Sequence, residues 1–196
     1  SIGDAATASY LDGVELAGIE HAARLRHRIE HGQLIRPEDI GRIADYGMIV
    51  SAQPHAAGSP EKDLTFLGQE RMDRAYPYRN LLDAGVHLAF GSDYPGEATV
   101  DPLYGMHLAV NRRGGQAITP EEALYCYTAG GAYAEFTENE KGRLKEGFLS
   151  DLTILSDDPT TVPTERIKEI QADATIVDGR FVFVRDGTGL PIAMDR

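Results

Sequence analysis

Residues 81–93 read LLDAGVHLAFGSD, and this stretch contains the repeating unit on which the fold is built. A helical segment is predicted to end at Gly85, where the helical pattern stops. Residues 86–90 form a short apolar run, which predicts a buried strand. The polar residues Gly91-Ser92-Asp93 follow directly at the carboxyl end of that strand. The unit is therefore a helix, a glycine, a short apolar strand and a loop.

The same unit occurs once before in the chain. A helix is predicted from Pro37 to Tyr46, with Gly47 suited to the left-handed position that ends it. Residues 48–52 are apolar and predict a second buried strand, closed by Gln53-Pro54. Short apolar strands separated by helices are typical of a parallel sheet covered by helices. The sequence therefore predicts the α/β class.

The first third of the chain begins with a helical pattern over residues 5–23, and Asp4 is the predicted N-cap. From Leu25 to His31, apolar or histidine residues alternate with charged ones, which predicts a strand. A continued helix would instead place His27 and His31 four residues apart on one face, as a zinc pair. The charge alternation favours the strand.

Residues 54–72 are rich in glycine, proline and charge, and predict a long loop. A single helix is predicted over residues 120–136, because Thr119 and the two glutamates after Pro120 form a good helix start.

The end of the chain differs in character from the rest. Residues 151–155 and 174–184 are rich in β-forming residues, and Asp178-Gly179 predicts a two-residue hairpin turn. We therefore expect two parts, a helix–strand domain over residues 1–140 and a β-rich segment over residues 141–196.

The amino-acid composition disfavours several classes of function and of partner. The net charge of −12 disfavours nucleic acid and anionic membranes as partners. The sequence has no apolar run of membrane-spanning length and no signal-peptide pattern, so we expect a cytoplasmic protein that acts on a small molecule. Cys126 is the single cysteine and has no apparent base partner, which disfavours a disulfide and a thiol nucleophile. The chain begins at Ser1 rather than methionine, which suggests a fragment or the loss of upstream residues.

Candidate site residues follow three predicted strands. In parallel α/β folds, chemistry gathers at the carboxyl ends of the strands, where His31, the segment Gln53–His55 and Asp93 all lie. A hydrolytic metal site needs imidazole and carboxylate ligands, and a carboxylate can also serve as general base. The spacing alone is equally compatible with a buried, hydrogen-bonded histidine and a capping aspartate.

Three further residues are candidates for substrate binding. Gln53 and His55 follow the second strand and would line a pocket there, although His55 could equally be a surface-loop histidine. Arg71 lies in the predicted long loop and would bind an anionic group, unless it is simply solvated.

Five segments, in order along the chain, resemble the YtcJ-like branch of the amidohydrolase superfamily. They are RHRIEH at 26–31, FLGQER at 66–71, LLDAG to FGSDYP at 81–95, the helix at 123–134, and KGRLKEG to SDL at 141–152. The resemblance implies a TIM-type (β/α)8 barrel with an accessory β-sandwich. This chain would be its C-terminal part, with strands six to eight followed by a small β-rich element of the sandwich.

The resemblance also implies hydrolysis of C–N bonds, in amides or N-formyl compounds, by a water activated on zinc or a similar divalent metal. His31 would bind the metal, and Asp93 would be a ligand and the catalytic base. The family's His-x-His motif and its strand-four ligand have no counterpart here, and residues 1–4 resemble the segment just after the strand-five histidine.

We therefore expect an incomplete metal site, no activity of the chain alone, and association with a missing N-terminal portion or a second copy. The alternatives are a non-catalytic interaction or assembly module and a small-molecule-binding α/β domain.

Overall fold

The computed structural model describes residues 1–190, and within this range the chain forms two three-stranded sheets and eight α-helices. The first sheet is parallel and the second antiparallel. The elements are α1 (Asp4–Ala17), α2 (Ile19–Arg24), β1 (Arg28–Glu30), α3 (Pro37–Asp45), β2 (Ile49–Ala52), α4 (Pro60–Arg74), α5 (Tyr78–Asp83), β3 (His87–Phe90), α6 (Pro102–Val110), α7 (Pro120–Tyr127), α8 (Ala129–Ala134), β4 (Leu152–Leu155), β5 (Ala172–Val177) and β6 (Arg180–Val184).

The parallel sheet forms the centre of the core. Its strand order is β1-β2-β3, and Ile29, Val50 and Leu88 lie side by side across it. All three side chains are buried. Both faces of β2 are covered, since the neighbours Ile49 and Val50 point to opposite faces and are both buried. The predicted α/β class with a parallel sheet is confirmed.

Glycine ends the helices that precede β2 and β3. Gly47 and Gly85 have φ angles of 59° and 79°, the left-handed conformation that glycine adopts without steric cost. Each glycine amide also donates to a carbonyl in the last turn of its helix. The chain therefore turns abruptly into each buried strand, as the sequence predicts.

Two predictions about the first helix were wrong. Residues 5–23 form two helices rather than one, because Gly18 has φ 108° and ψ 114° and breaks the helix between them. Asp4 is the first residue of α1, and Gly3 occupies the N-cap position. The strand before His31 is confirmed over its last three residues, so the rival helical pairing of His27 with His31 is excluded.

The predicted loop over residues 54–72 is mostly helical, so that prediction was wrong. A 3-10 helix, Pro54–Gly58, leads into α4, which is kinked where Gly68 has φ 72° and ψ 168°. No residue of α4 is buried, so the segment has no apolar stripe from which a helix could be predicted.

The single helix predicted over residues 120–136 is two helices. The start is confirmed, since Thr119 and Glu122 exchange side-chain and backbone hydrogen bonds in a capping box. The break falls at Thr128, with φ −122° and ψ −88°. It allows α8 to pack directly on β3, where a Cβ atom on Gly130 would lie 2.2 Å from the carbonyl oxygen of Leu88.

Arg26 ties the start of β1 to the end of α8. Its guanidinium lies 3.8 Å from the ring centre of Tyr133 and 4.3 Å from that of Phe136. It also forms an ion pair with Glu138, with 2.5 Å between Nη2 and Oε1. Hydrogen bonding to Arg26 lowers the pKa of Glu138 to about 2. This cluster lies at the amino-terminal edge of the parallel sheet, opposite the strand ends that carry the candidate site.

The β-rich tail is confirmed as an antiparallel sheet of order β4-β5-β6. Asp178 and Gly179 have φ angles of 51° and 74°, as a two-residue type I′ hairpin turn requires. The division into parts at residues 140 and 141 stays a prediction, and residues 191–196 of the second part lie outside the described residues. Across residues 1–190, no helix is both long enough and apolar enough to cross a membrane.

Candidate functional site

The carboxyl ends of the three parallel strands bring the predicted site segments to one edge of the sheet. The register pairs Glu30 with Ser51 and Ala52 with Phe90, so the three strands end close to one another. His31 follows the outer strand β1, and Asp93 lies three residues after the other outer strand, β3. Strands lie about 4.8 Å apart, so the backbones of the outer two are separated by roughly 10 Å.

His31 and Asp93 share an unusual backbone conformation. Their φ angles are 70° and 62°, a left-handed region that residues other than glycine seldom adopt. The His31 amide donates to the Ser51 carbonyl at 2.9 Å, and His31 is half-buried. Asp93 is exposed, and its carbonyl accepts from the amides of Gly96 and Glu97 at 2.6 and 3.2 Å. Each residue therefore turns the chain out of the sheet just after its strand.

Tyr76 joins the segment after β1 to the segment after β2. The Tyr76 hydroxyl accepts a hydrogen bond from Gln33 Nε2 at 2.8 Å. It also lies within donating distance of two acceptors, the Ala56 carbonyl at 3.0 Å and the Asp63 carboxylate at 3.1 Å. The Tyr76 amide also donates to the Gln33 carbonyl at 2.8 Å. Burial, and then Asp63, raise the pKa of Tyr76, so the hydroxyl keeps its proton as a donor.

His55 joins the segment after β2 to the loop after β3. Its side chain is 4% exposed, and Nε2 lies 2.8 Å from the carbonyl oxygen of Asp101. A carbonyl can only accept, so Nε2 carries a proton and is the donor. Among residues 1–190, no group pairs with Nδ1. Asp101 also caps α6, since its Oδ1 accepts from the amide of Leu103 at 2.9 Å.

The other two predicted substrate contacts lie in different surroundings. Gln53 is half-buried; its Nε2 donates to the Ser51 carbonyl at 3.1 Å, while its buried Oε1 has no partner in the part of the chain that the structure describes. Arg71 was expected in a loop, but it lies exposed in the second half of α4. The substrate roles of Gln53, His55 and Arg71 stay predictions.

Sequence reasoning overlooked two tyrosines near the strand ends, Tyr78, which is buried, and Tyr127, which is half-buried with a buried hydroxyl. The rings of Tyr78 and Tyr127 flank Phe90, the last residue of β3, at centroid distances of 5.1 and 5.4 Å. Burial raises the pKa of both hydroxyls, and neither has a hydrogen-bond partner within residues 1–190. No sequence pattern indicates these positions. The capping role of Asp101, in contrast, was readable from Asp101-Pro102 at the start of an apolar helix.

A cleft of about 560 Å³ lies between α6, α7 and the second sheet. Its lining is mainly apolar and includes Leu103, Met106, Leu155 and Phe183. It includes none of His31, Gln53, His55, Arg71 and Asp93. The cleft does reach Asp101, which His55 contacts, and Tyr127, which packs on Phe90. Because no predicted site residue lines it, the chemistry of the strand ends is the better guide to function.

A catalytic zinc generally takes three protein ligands. Imidazole and carboxylate are suitable donors, but His31 and Asp93 supply only two. Within residues 1–190, no group of three or more histidine, cysteine, aspartate or glutamate side chains could hold a metal ion. The described residues therefore do not make a complete zinc site. Cys126 adds no ligand or nucleophile, because burial raises the pKa of its thiol to about 12.

Comparison with known proteins identifies the class to which this fold and these strand ends belong. The sequence profile of the amidohydrolase family matches residues 1–183. YtcJ of Bacillus subtilis is 30% identical over 93% of this chain and 36% of its own length. The N-substituted formamide deformylase of Arthrobacter pascens is 30% identical over 95% of this chain and 36% of its own length.

A solved structure of a related hydrolase is also similar to this chain in sequence and in fold. This structure is that of an uncharacterized metal-dependent hydrolase from Pyrococcus horikoshii, which is 30% identical to this chain in sequence. The two structures superpose with a TM-score of 0.71, over 84% of this chain and 34% of the hydrolase. The chain belongs to the amidohydrolase family, and the YtcJ-like resemblance is confirmed. It spans about a third of the length of these relatives. The numbering of β1–β3 as strands six to eight stays a prediction.

Proposed function

We propose that this chain supplies part of the active site of a metal-dependent hydrolase that cleaves C–N bonds in amides or N-formyl compounds other than peptides. The observation that carries the proposal is that His31 and Asp93 follow the two outer strands at the carboxyl edge of one parallel sheet. Membership of the amidohydrolase family supports the reaction class. The name of the Arthrobacter relative, an N-substituted formamide deformylase, supports the bond type.

The two residues would have different roles. His31, as a neutral imidazole, would offer a nitrogen lone pair to a divalent metal, zinc by the types of donor present. Asp93 would be a second ligand or the general base that accepts a proton at its carboxylate. The metal, when bound, would supply an activated water. Gln53 Oε1, which has no partner within residues 1–190, would accept a hydrogen bond from a substrate N–H. Arg71 would pair with an anionic group.

Since two donors are too few, we infer that the other ligands come from outside this chain, from an N-terminal portion or a second copy. Hydrogen bonds at the outer edge of β1 support this. The Ser1 amine donates to the Glu30 carbonyl at 2.6 Å, and the Gly32 amide donates to the Ser1 carbonyl at 3.0 Å. These bonds continue the sheet in the parallel sense, so residues joined to Ser1 would extend along β1.

An assembly module without catalysis is the second candidate. It is favoured by exposed apolar side chains in the first helix–strand unit, where Ile2, Leu16 and Leu25 are 55%, 91% and 42% exposed. In this candidate these side chains would contact another protein segment.

The test is a hydrolysis assay with a panel of amides and N-formyl amines in the presence of zinc. A full-length protein containing this chain should turn over at least one of them, and the 196-residue chain alone should turn over none. Inactivity of the full-length protein toward the whole panel favours the assembly module. Robust zinc-dependent activity of the isolated chain contradicts the incomplete site.

A further inference from the structure

We propose that His55 is a positioning residue, which fixes the loop of residues 91–101 through its hydrogen bond to the Asp101 carbonyl. The loop carries Asp93, so the functional consequence rests on the role proposed above for Asp93. The geometric claim itself does not depend on that role.

The loop is held at both ends. It leaves the sheet after Phe90, whose side chain is 9% exposed, and it enters α6 at Asp101. The Asp101 carbonyl accepts from the His55 ring at 2.8 Å and from the Gly105 amide at 3.2 Å. The Asp101 amide donates to Thr99 Oγ1 at 3.1 Å, and the side chain caps Leu103 at 2.9 Å. Of these bonds, the one from His55 ties Asp101 to the segment after β2. The bond is partly buried and the His55 side chain is 4% exposed, so water competes with the bond less than it would at the surface. His55 thus joins the end of β2 to a point 46 residues later in the chain.

The surroundings of the ring fit a histidine closely. Tyr104 packs against it edge-on, with 5.8 Å between ring centres. On another side lies Gly105 of α6, where an added Cβ atom would stand 2.7 Å from His55 Cε1 and 1.8 Å from the Tyr127 hydroxyl. Any larger residue at position 105 would collide with the Tyr127 hydroxyl and with the imidazole. The ring is therefore confined in the orientation that aims Nε2 at Asp101.

Between its two ends the loop folds back on itself. The Asp93 carbonyl accepts from the amides of Gly96 and Glu97, so these two amides report directly on the backbone of Asp93. If His55 anchors the loop, loss of its Nε2–H group should loosen this turn while the sheet stays intact. If His55 only fills space, an apolar residue of similar size should serve as well.

Two variants separate these cases. His55→Gln keeps an N–H donor near the position of Nε2, and His55→Met fills similar space without a donor. Amide hydrogen exchange is measured by NMR on the 196-residue chain, without metal or substrate. Exchange at Gly96, Glu97 and Leu103 should accelerate about tenfold in His55→Met and stay within about threefold of wild type in His55→Gln. The amide of Val50 in β2 is the internal control.

Equal exchange in wild type and His55→Met at these three amides overturns the proposal, as does failure of His55→Gln to restore protection. If His55→Met does not fold, the wild-type ring decides the matter. Its nitrogen-15 spectrum should show a protonated Nε2 and an unprotonated Nδ1, and the opposite tautomer contradicts the bond to Asp101. An inactive hydrolase leaves all these readouts unchanged, so failure of the proposed function is distinguishable from failure of this inference.

Discussion

Replacing Gly130 with alanine is expected to destabilise the chain, whereas the same change at the next residue, Gly131, is expected to stabilise it. Both glycines lie in α8, and neither has a positive φ angle. At Gly131 an added Cβ atom meets no atom of residues 1–190 within 4 Å. At Gly130 it would lie 2.2 Å from the Leu88 carbonyl oxygen and 3.2 Å from the Tyr125 carbonyl oxygen.

The size of the effect follows from these distances. Real Cβ atoms essentially never approach closer than 3.0 Å, so α8 and β3 would have to separate by nearly an ångström. The atom in the way is backbone of a buried strand and cannot rotate aside. Overpacking of this kind costs about 1–3 kcal/mol. Removing a helix glycine gains up to about 1 kcal/mol at either position, so the difference between the two variants isolates the cost of the clash.

Urea unfolding followed by circular dichroism measures both free energies of unfolding. The expected order of stability is Gly131→Ala, then wild type, then Gly130→Ala, with similar m-values. Equal stability of the two variants would mean that α8 does not contact β3 as described, and the reasoning would fail.

The remaining predictions concern catalysis, association and pH. In a full-length protein containing this chain, Asp93→Asn should lower turnover about a hundredfold to ten-thousandfold without loss of fold, because an amide cannot act as a base; near-normal turnover would remove Asp93 from the mechanism. Sedimentation at micromolar concentration should show the isolated chain as a dimer or larger assembly through residues 1–31, and a compact monomer would contradict this. The Arg26–Glu138 pair should stabilise the fold fully above about pH 4.5 and progressively less as the pH falls toward 2, since the folded pKa of Glu138 is lowered to about 2. The difference in unfolding free energy between wild type and Glu138→Gln should therefore shrink over that range, and a difference that does not change with pH refutes the pair's contribution.

The parts of the fold that sequence predicts correctly are those with local causes. Gly47 and Gly85 end helices because of their own backbone freedom, and the hairpin at Asp178-Gly179 requires only a two-residue turn. The helix α4 was missed because it buries no side chain and so leaves no apolar periodicity. The break at Thr128 has a tertiary cause, the close packing of Gly130 on β3, which no local pattern contains.

The residues of the candidate site likewise include some that the sequence predicts and some that it does not. His31 and Asp93 could be placed at strand ends, because a short apolar run predicts where a strand stops. The bond from His55 to Asp101 could not be foreseen, since it joins residues 46 apart. Burial, which makes a positioning role possible for His55, depends on Tyr104 and Gly105 of a later helix.

The central claim, that this chain contributes His31 and Asp93 to a metal site completed from elsewhere, is tested most directly by measuring bound zinc after dialysis. The account predicts that a full-length protein containing the chain retains zinc, while its His31→Ala variant and the isolated 196-residue chain do not. Two results would contradict the central claim. One is stoichiometric zinc retained by the isolated chain, and the other is stoichiometric zinc with unchanged turnover in the full-length His31→Ala variant.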